Sequence, residues 1–200
     1  MAQWFSEYWQ YALVLLGVCI VAVIVFYFAG KSRMKYVRSY KAQEDELKRL
    51  KALKDKYHPL TAEKLQQGDD MEILEAASLV YQIKFEKSEF PEVEFKKLTD
   101  VQKNIYTLDV FVSDKTASVF FDLNDKTLQS RLYEALKMID FDCAMDEFKA
   151  VHDMYDENND QVSFDRSRLS KLDEIILQQD VLRKIKLGAA IYIKRNLDLL

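Results

Sequence analysis

Glycine is scarce in this chain. Four occur in 200 residues, and only Gly68 and Gly188 lie beyond position 30. A loop that cradles phosphate needs several, so that backbone N–H groups can close on the anion. No P-loop, dinucleotide fingerprint or nucleophile elbow can be drawn, which argues against nucleotide chemistry and leaves no recognisable catalytic motif. The only prolines are Pro59 and Pro91, and no low-complexity linker is present. Cys19 and Cys143 cannot make a disulfide framework, and each reads as a small apolar residue. His58 and His152 are the only histidines. His152 with Asp156 has i,i+4 spacing, but two ligands without a third do not make a metal site, and neither metal nor cofactor is expected.

What is abundant is apolar and charged sequence, unevenly placed. Tyr11 to Gly30 is twenty residues without a charge, long enough as a helix (about 30 Å) to cross a bilayer's hydrocarbon core. A cleavable signal peptide would have a basic start and a shorter apolar core. Here residues 1–10 carry Glu7 and no base. Trp4, Phe5, Tyr8, Trp9 and Tyr11 flank the run, where rings suit the headgroup layer. Lys31, Arg33, Lys35, Arg38 and Lys41 follow with no acid before Glu44. Basic flanks stay cytoplasmic, so the expectation is a single-pass cell-membrane protein with its N-terminus outside and its main domain in the cytoplasm.

The resulting organisation is a short leader (1–10), a transmembrane helix (11–30), a basic helical stalk (31–59) and an acidic domain (60–200). Residues 1–60 carry ten Lys and Arg against five Asp and Glu, a net of +5. The totals of 29 and 33 leave 19 and 28 for residues 61–200, a net of −9. A basic juxtamembrane segment is drawn to anionic lipid, whereas an acidic domain is repelled by nucleic-acid backbones. Direct nucleic-acid binding is therefore not expected.

The fold class reads as all-α. Tyr36, Tyr40, Gln43, Leu47, Leu50, Lys54 and Tyr57 form a weak heptad seam along the stalk, through which a homo-oligomer could form, and Pro59 ends it. Thr61 caps a short helix that stops at Gly68, and Asp69 or Asp70 caps the next. That next helix is apolar on two faces, with Met71, Leu74, Ala77, Tyr81 and Phe85 on one and Ile73, Ala76, Val80 and Ile83 on the other, which marks it as central. Pro91 punctuates the connection that follows. Residues 105–121 are ambiguous, because Tyr106, Leu108, Val110 and Val112 alternate as a strand would. Thr99 with Gln102 forms a capping box and favours helix over a hairpin turning at 113–116. Asn124 or Asp125 starts a helix with Leu128, Leu132, Ala135 and Ile139 inward. Asp140 or Asp142 starts another that includes Phe141, Ala144, Phe148, Val151 and Tyr155. Two closing helices lie around Leu169–Leu177 and Val181–Asn196.

Candidate chemistries fail one by one. Asp156, Asn158 and Asp160 occupy positions 1, 3 and 5 of an EF-hand loop. Gln161 stands where that loop turns on glycine, and Ser167 where it needs a bidentate Glu. Cys143 and His152, placed in one helix, would point to opposite sides. His58 is expected to face water. The remaining feature is a cluster of acids, Asp140, Asp142, Asp146, Glu147, Asp153, Asp156, Glu157 and Asp160, with Lys149 the only Lys or Arg among them. Such a cluster is either a solvated face or a surface that steers a basic partner.

A set of residues also resembles a bacterial family. It comprises Leu98-Thr99 with Ile105-Tyr106, then Phe120-Phe121 with Asn124, then Glu134-Ala135-Leu136-Lys137, Leu172-Asp173, Tyr192-Ile193 and Asn196. The family is the all-helical domain of unknown function that includes a DNA-mimic protein. The likeness covers about residues 70–197 and excludes the anchor and stalk. The family's Asn-Gly-Gly-Phe turn would fall on Asp114-Lys115-Thr116-Ala117, where none of its residues is kept. The resemblance implies a compact helical binding domain with an acidic surface. The function expected is a membrane-anchored module that captures a basic protein, as in regulator sequestration or toxin immunity. The alternatives are a membrane-surface enzyme with carboxylates converging from several helices, or a structural subunit of a membrane complex.

Overall fold

A computed structural model describes residues 41–155 and 165–200 of the chain. Contacts divide the chain into two units, Met1–Lys51 and Ala52–Leu200. The expected transmembrane run, the leader and stalk residues 31–40 lie outside the described residues. Among those described, no helix is long and apolar enough to cross a membrane, and no strand occurs. The all-α expectation holds. Residues 41–57 are helical (α1). They precede α2 (Ala62–Gln67), α3 (Asp70–Glu86), α4 (Pro91–Lys97), α5 (Asp100–Asp114), α6 (Ala117–Leu123), α7 (Lys126–Met138), α8 (Met145–Tyr155), α9 (Arg166–Gln178), α10 (Val181–Arg195) and a 3-10 turn at Leu197–Leu199.

The helix starts are set by side-chain oxygens that satisfy otherwise orphaned N–H groups. Thr61 Oγ1 accepts from Lys64 N at 3.3 Å, Asp69 Oδ1 from Met71 N at 2.9 Å, and Asp125 Oδ1 from Leu128 N at 3.0 Å. At α5 the capping box is complete: Thr99 Oγ1 accepts from Gln102 N at 3.2 Å, and Gln102 Oε1 accepts from Thr99 N at 3.1 Å. This decides the ambiguous stretch. Ile105, Leu108, Phe111 and Val112 form one buried stripe of α5, and the 113–116 turn joins two helices through a left-handed Lys115 with φ 67°. Thr116 then caps α6, its Oγ1 accepting from Val119 N at 3.2 Å.

Four sequence expectations need correction. Pro91 opens a helix, α4, where only a connection was foreseen; a proline at N1 gives up an N–H that has no partner there anyway. Of the two starts expected for the next helix, Asp125 does cap α7, while Asn124 closes α6. Neither Asp140 nor Asp142 starts a helix. Asp140 (φ 52°) and Ala144 (φ 57°) are left-handed, and α8 begins only at Met145, which lets Phe141 turn inward from the loop. Lys54 of the heptad seam is exposed, and Leu53, absent from that seam, is buried with Tyr57. His58 does not simply face water, because its Nε2 lies 2.8 Å from the Ala76 carbonyl.

Packing centres on α3, which buries Ile73, Leu74, Ala76, Ala77, Leu79 and Tyr81. Both α5 and α10 lie against it and against each other. On the far side of α5 sits α7, then α8, and α9 closes the arrangement by touching α8, α6 and α10. A path of ring contacts threads the interior. Phe111 meets Phe120 at 5.4 Å and Phe148 at 5.7 Å, both edge-on, and Phe120 meets Phe121 at 5.3 Å.

The end of α1 is joined to this body by Tyr57, which is fully buried. Its hydroxyl donates to Glu72 Oε2 at 3.0 Å and accepts from Asp69 N at 2.9 Å. A Cβ at Gly68 would sit 2.5 Å from the Tyr57 ring and 2.7 Å from its oxygen. Gly68→Ala is therefore expected to destabilise residues 52–200 by about 1–3 kcal/mol through overpacking. Most of that cost should vanish when Tyr57→Leu is also present. Thermal circular dichroism of this segment, expected to melt cooperatively from a helical baseline, measures both effects. Equal cost in the two backgrounds would locate the strain elsewhere.

Candidate functional site

The acidic segment is the candidate, and the fold distributes it along one edge. Asp140 and Asp142 lie in the α7–α8 turn, Asp146 and Glu147 in the first turn of α8, and Asp153 in its last. Asp156, Glu157 and Asp160 fall outside the described residues, as does the EF-hand-like loop up to residue 164; its last position, Ser167, lies in the first turn of α9. Phe148 and Val151 face inward. Asp146 and Asp153, seven residues apart, therefore share the outward face of α8. Asp140, Asp142, Asp146 and Asp153 are exposed. Acids at the first turn also favour the helix dipole, so two of these residues serve local structure as well.

The edge is less purely negative than its sequence. Arg168 and Lys171 of α9 come alongside α8, and with Asp146, Glu147 and Ala150 they line an open groove of about 280 Å³. Lys171 Nζ lies 3.4 Å from Glu147 Oε1. These bases are 18 or more positions beyond Ala150 in the chain, so a linear count could not place them here. Among the described residues, no ion pair reaches Asp140, Asp142 or Asp153.

Cys143 and His152 are not on one helix, which corrects their placement. The Cys143 thiol donates to Gln179 Oε1 at 3.0 Å, with Lys184 Nζ at 3.7 Å. His152 instead stacks on Tyr133 with ring centres 5.4 Å apart. No group of three His, Cys, Asp or Glu among the described residues is placed to hold a metal ion.

A second groove, about 310 Å³, lies where Phe85 of α3, Phe95 of α4 and Tyr106 of α5 meet, with Glu92 and Asp125 at its walls. The three rings contact one another edge-on or tilted at 5.0–6.2 Å. Burial raises the Tyr106 hydroxyl pKa, helped by the charges of Asp109 and Asp125. This is the nearest approach to converging carboxylates from different helices. A carboxylic acid that donates protons near neutral pH needs a raised pKa. Hydrogen bonds involving Arg49, Lys56 and Ser167 lower the pKa values of Glu46, Glu72 and Asp165 respectively.

The family-like residues turn out to organise the interior. Phe120, Phe121, Leu172 and Ile193 are buried. Asp173 of α9 reaches across to the start of α6, where its Oδ1 accepts from Ala117 N at 2.6 Å and Ser118 N at 3.2 Å. Asn124 Nδ2 donates to Asp114 Oδ2 at 2.8 Å and to the Phe120 carbonyl at 2.9 Å. Asn196 Nδ2 donates to the Tyr192 carbonyl at 2.9 Å and closes α10. Phe121 stacks on Tyr155 at 4.4 Å, and burial pushes the Tyr155 hydroxyl up to about 12.

Sequence reasoning missed Gln129, which is buried with its Nε2 donating to the Phe121 and Asn124 carbonyls at 2.8 and 2.7 Å. A glutamine one turn into an amphipathic helix, between inward-facing Leu128 and Leu132, was its only signal. Asp173→Ala is expected to cost about 1–2 kcal/mol, the usual loss for a helix cap. Asp173→Asn, which keeps an acceptor oxygen, should retain most of that stability. Thermal melts of the two variants decide it, and equal loss would mean that charge rather than the hydrogen bonds matters. No protein-family model, curated protein or solved structure matches the chain, so the likeness to the DNA-mimic family rests on its residues alone.

Proposed function

We propose that the chain is a membrane-tethered, non-catalytic binding module whose helical body captures a basic protein, as regulator-sequestering and immunity proteins do. The observation that carries this reading is the exposure of Asp140, Asp142, Asp146 and Asp153 along α8 and the turn before it. Exposed charges of one sign contribute little to folding, yet they raise the local concentration of an oppositely charged partner. The tether follows from the uncharged run at 11–30 and the five bases between Lys31 and Lys41. The same asymmetry places the N-terminus outside and the body in the cytoplasm.

Two outcomes are expected. Protease added to intact spheroplasts should spare residues 41–200, and their digestion while cytoplasmic markers survive would reverse the orientation. Partners recovered with the full-length protein from its own membranes should associate at rates that fall steeply with salt. Replacing Asp142, Asp146 and Asp153 together by Asn should slow low-salt capture roughly tenfold while leaving the melting curve nearly unchanged. A wild-type capture rate in that variant would reduce the cluster to a solvated surface.

A further inference from the structure

Helix α10 breaks with the acidic body around it. Val181–Arg195 contains Arg183, Lys184, Lys186, Lys194 and Arg195 and no acid. Val181, Ile185, Ala189, Ala190 and Ile193 are buried, so at about 100° per residue the opposite face runs through half-buried Leu187 and exposed Ile191. Arg183 and Lys194 flank that line on one side, Lys184 and Arg195 on the other. Ile191 is 48% exposed. An apolar centre bordered by long basic side chains suits an anionic lipid surface. The apolar residues enter the headgroup boundary while the ammonium and guanidinium groups extend to the phosphates.

The position of the helix adds a separate argument. Lys194 Nζ lies 2.6 Å from Asp70 Oδ1. The neighbouring Asp69 and Glu72 hold Tyr57, at the end of α1. The basic C-terminal end of α10 thus lies beside the place where the chain enters the body from its N-terminal side. The acids beside this face are Asp70, Asp180 and those of the turn holding Asp140 and Asp142, whose Cys143 Sγ is 3.7 Å from Lys184 Nζ. Asp180 is 3.7 Å from Arg183 in an exposed pair of the kind that contributes little, and Asp70 engages Lys194 alone.

We infer that α10 is a membrane-docking face, which lays Leu187 and Ile191 on an anionic bilayer with Arg183, Lys184 and Arg195 on its phosphates. This deepens the tethered-module reading and rests on it. Asp146 and Asp153, on α8 itself, then remain for the partner.

The test uses full-length protein carrying Trp4→Phe, Trp9→Phe and Ile191→Trp, so that one tryptophan reports on α10. It is combined with brominated-chain vesicles of phosphatidylcholine, with or without a third of the lipid as phosphatidylglycerol. Emission should be quenched on the anionic vesicles and recover with added salt. Each base near such a surface contributes about fivefold to association, so adding Arg183→Gln and Arg195→Gln should reduce docking on the order of 25-fold. A Leu177→Trp reporter, on the exposed part of α9, should stay unquenched. Equal quenching on neutral vesicles, or at position 177, overturns the inference. If the substituted chain fails to fold, the wild type answers: acetylation of Lys184 by a water-soluble reagent must slow on the anionic vesicles, and an unchanged rate also overturns it. Carbonate extraction of the same single-tryptophan chain tests the tether separately. An extractable chain that is still quenched would keep the docking face and reject the span.

Discussion

The fold depends on satisfying the two ends of α6. This seven-residue helix carries Phe120 and Phe121 into the middle of the molecule, and a helix that short leaves most of its N–H and C=O groups without internal partners. Buried, those groups would each cost on the order of 1–3 kcal/mol. Three elements supply what is missing. Asp173 comes from α9, over 50 residues away, to the N-terminal amides. Asn124 folds back on the Phe120 carbonyl, and Gln129 of α7 serves the carbonyls of Phe121 and Asn124. Aromatic packing and polar satisfaction are therefore one constraint, since the rings reach the core only where α7 and α9 stand ready to cap the helix that brings them.

Local signals were legible in the sequence and long-range ones were not. Thr61, Asp69, Thr99 and Asp125 mark helix starts because a cap acts within three residues of itself, and each stands where the sequence puts it. The two-faced pattern of α3 likewise announces a central helix. The errors arise where tertiary context chooses between local options. Phe141 is buried from a turn, so periodicity alone counted it as helical. Lys54 and Leu53 are neighbours, and only the body beneath them determines which points inward. At the candidate site, the acids of α8 were evident as a cluster, but Arg168 and Lys171 reach them through packing that no linear pattern encodes.

The resemblance that suggested a binding module falls on residues whose work is internal. Phe120, Phe121, Leu172, Asp173, Ile193 and Asn196 shape and close helices, and the exposed acids lie elsewhere. A likeness carried by such positions bears on architecture more than on any partner.

The turns of this glycine-poor chain add a last property. Lys115, Asp140, Ala144 and Asp180 all take positive φ, a region that costs a non-glycine residue about 1–2 kcal/mol and from which nearby alternatives are sterically closed. Glycine there would move through a broad range; these residues occupy a narrow well. The connections that lead into α6, α8 and α10 consequently act as stops rather than hinges. The start of α8 is therefore held in one geometry, and any association proposed for it would spend little entropy on ordering that turn.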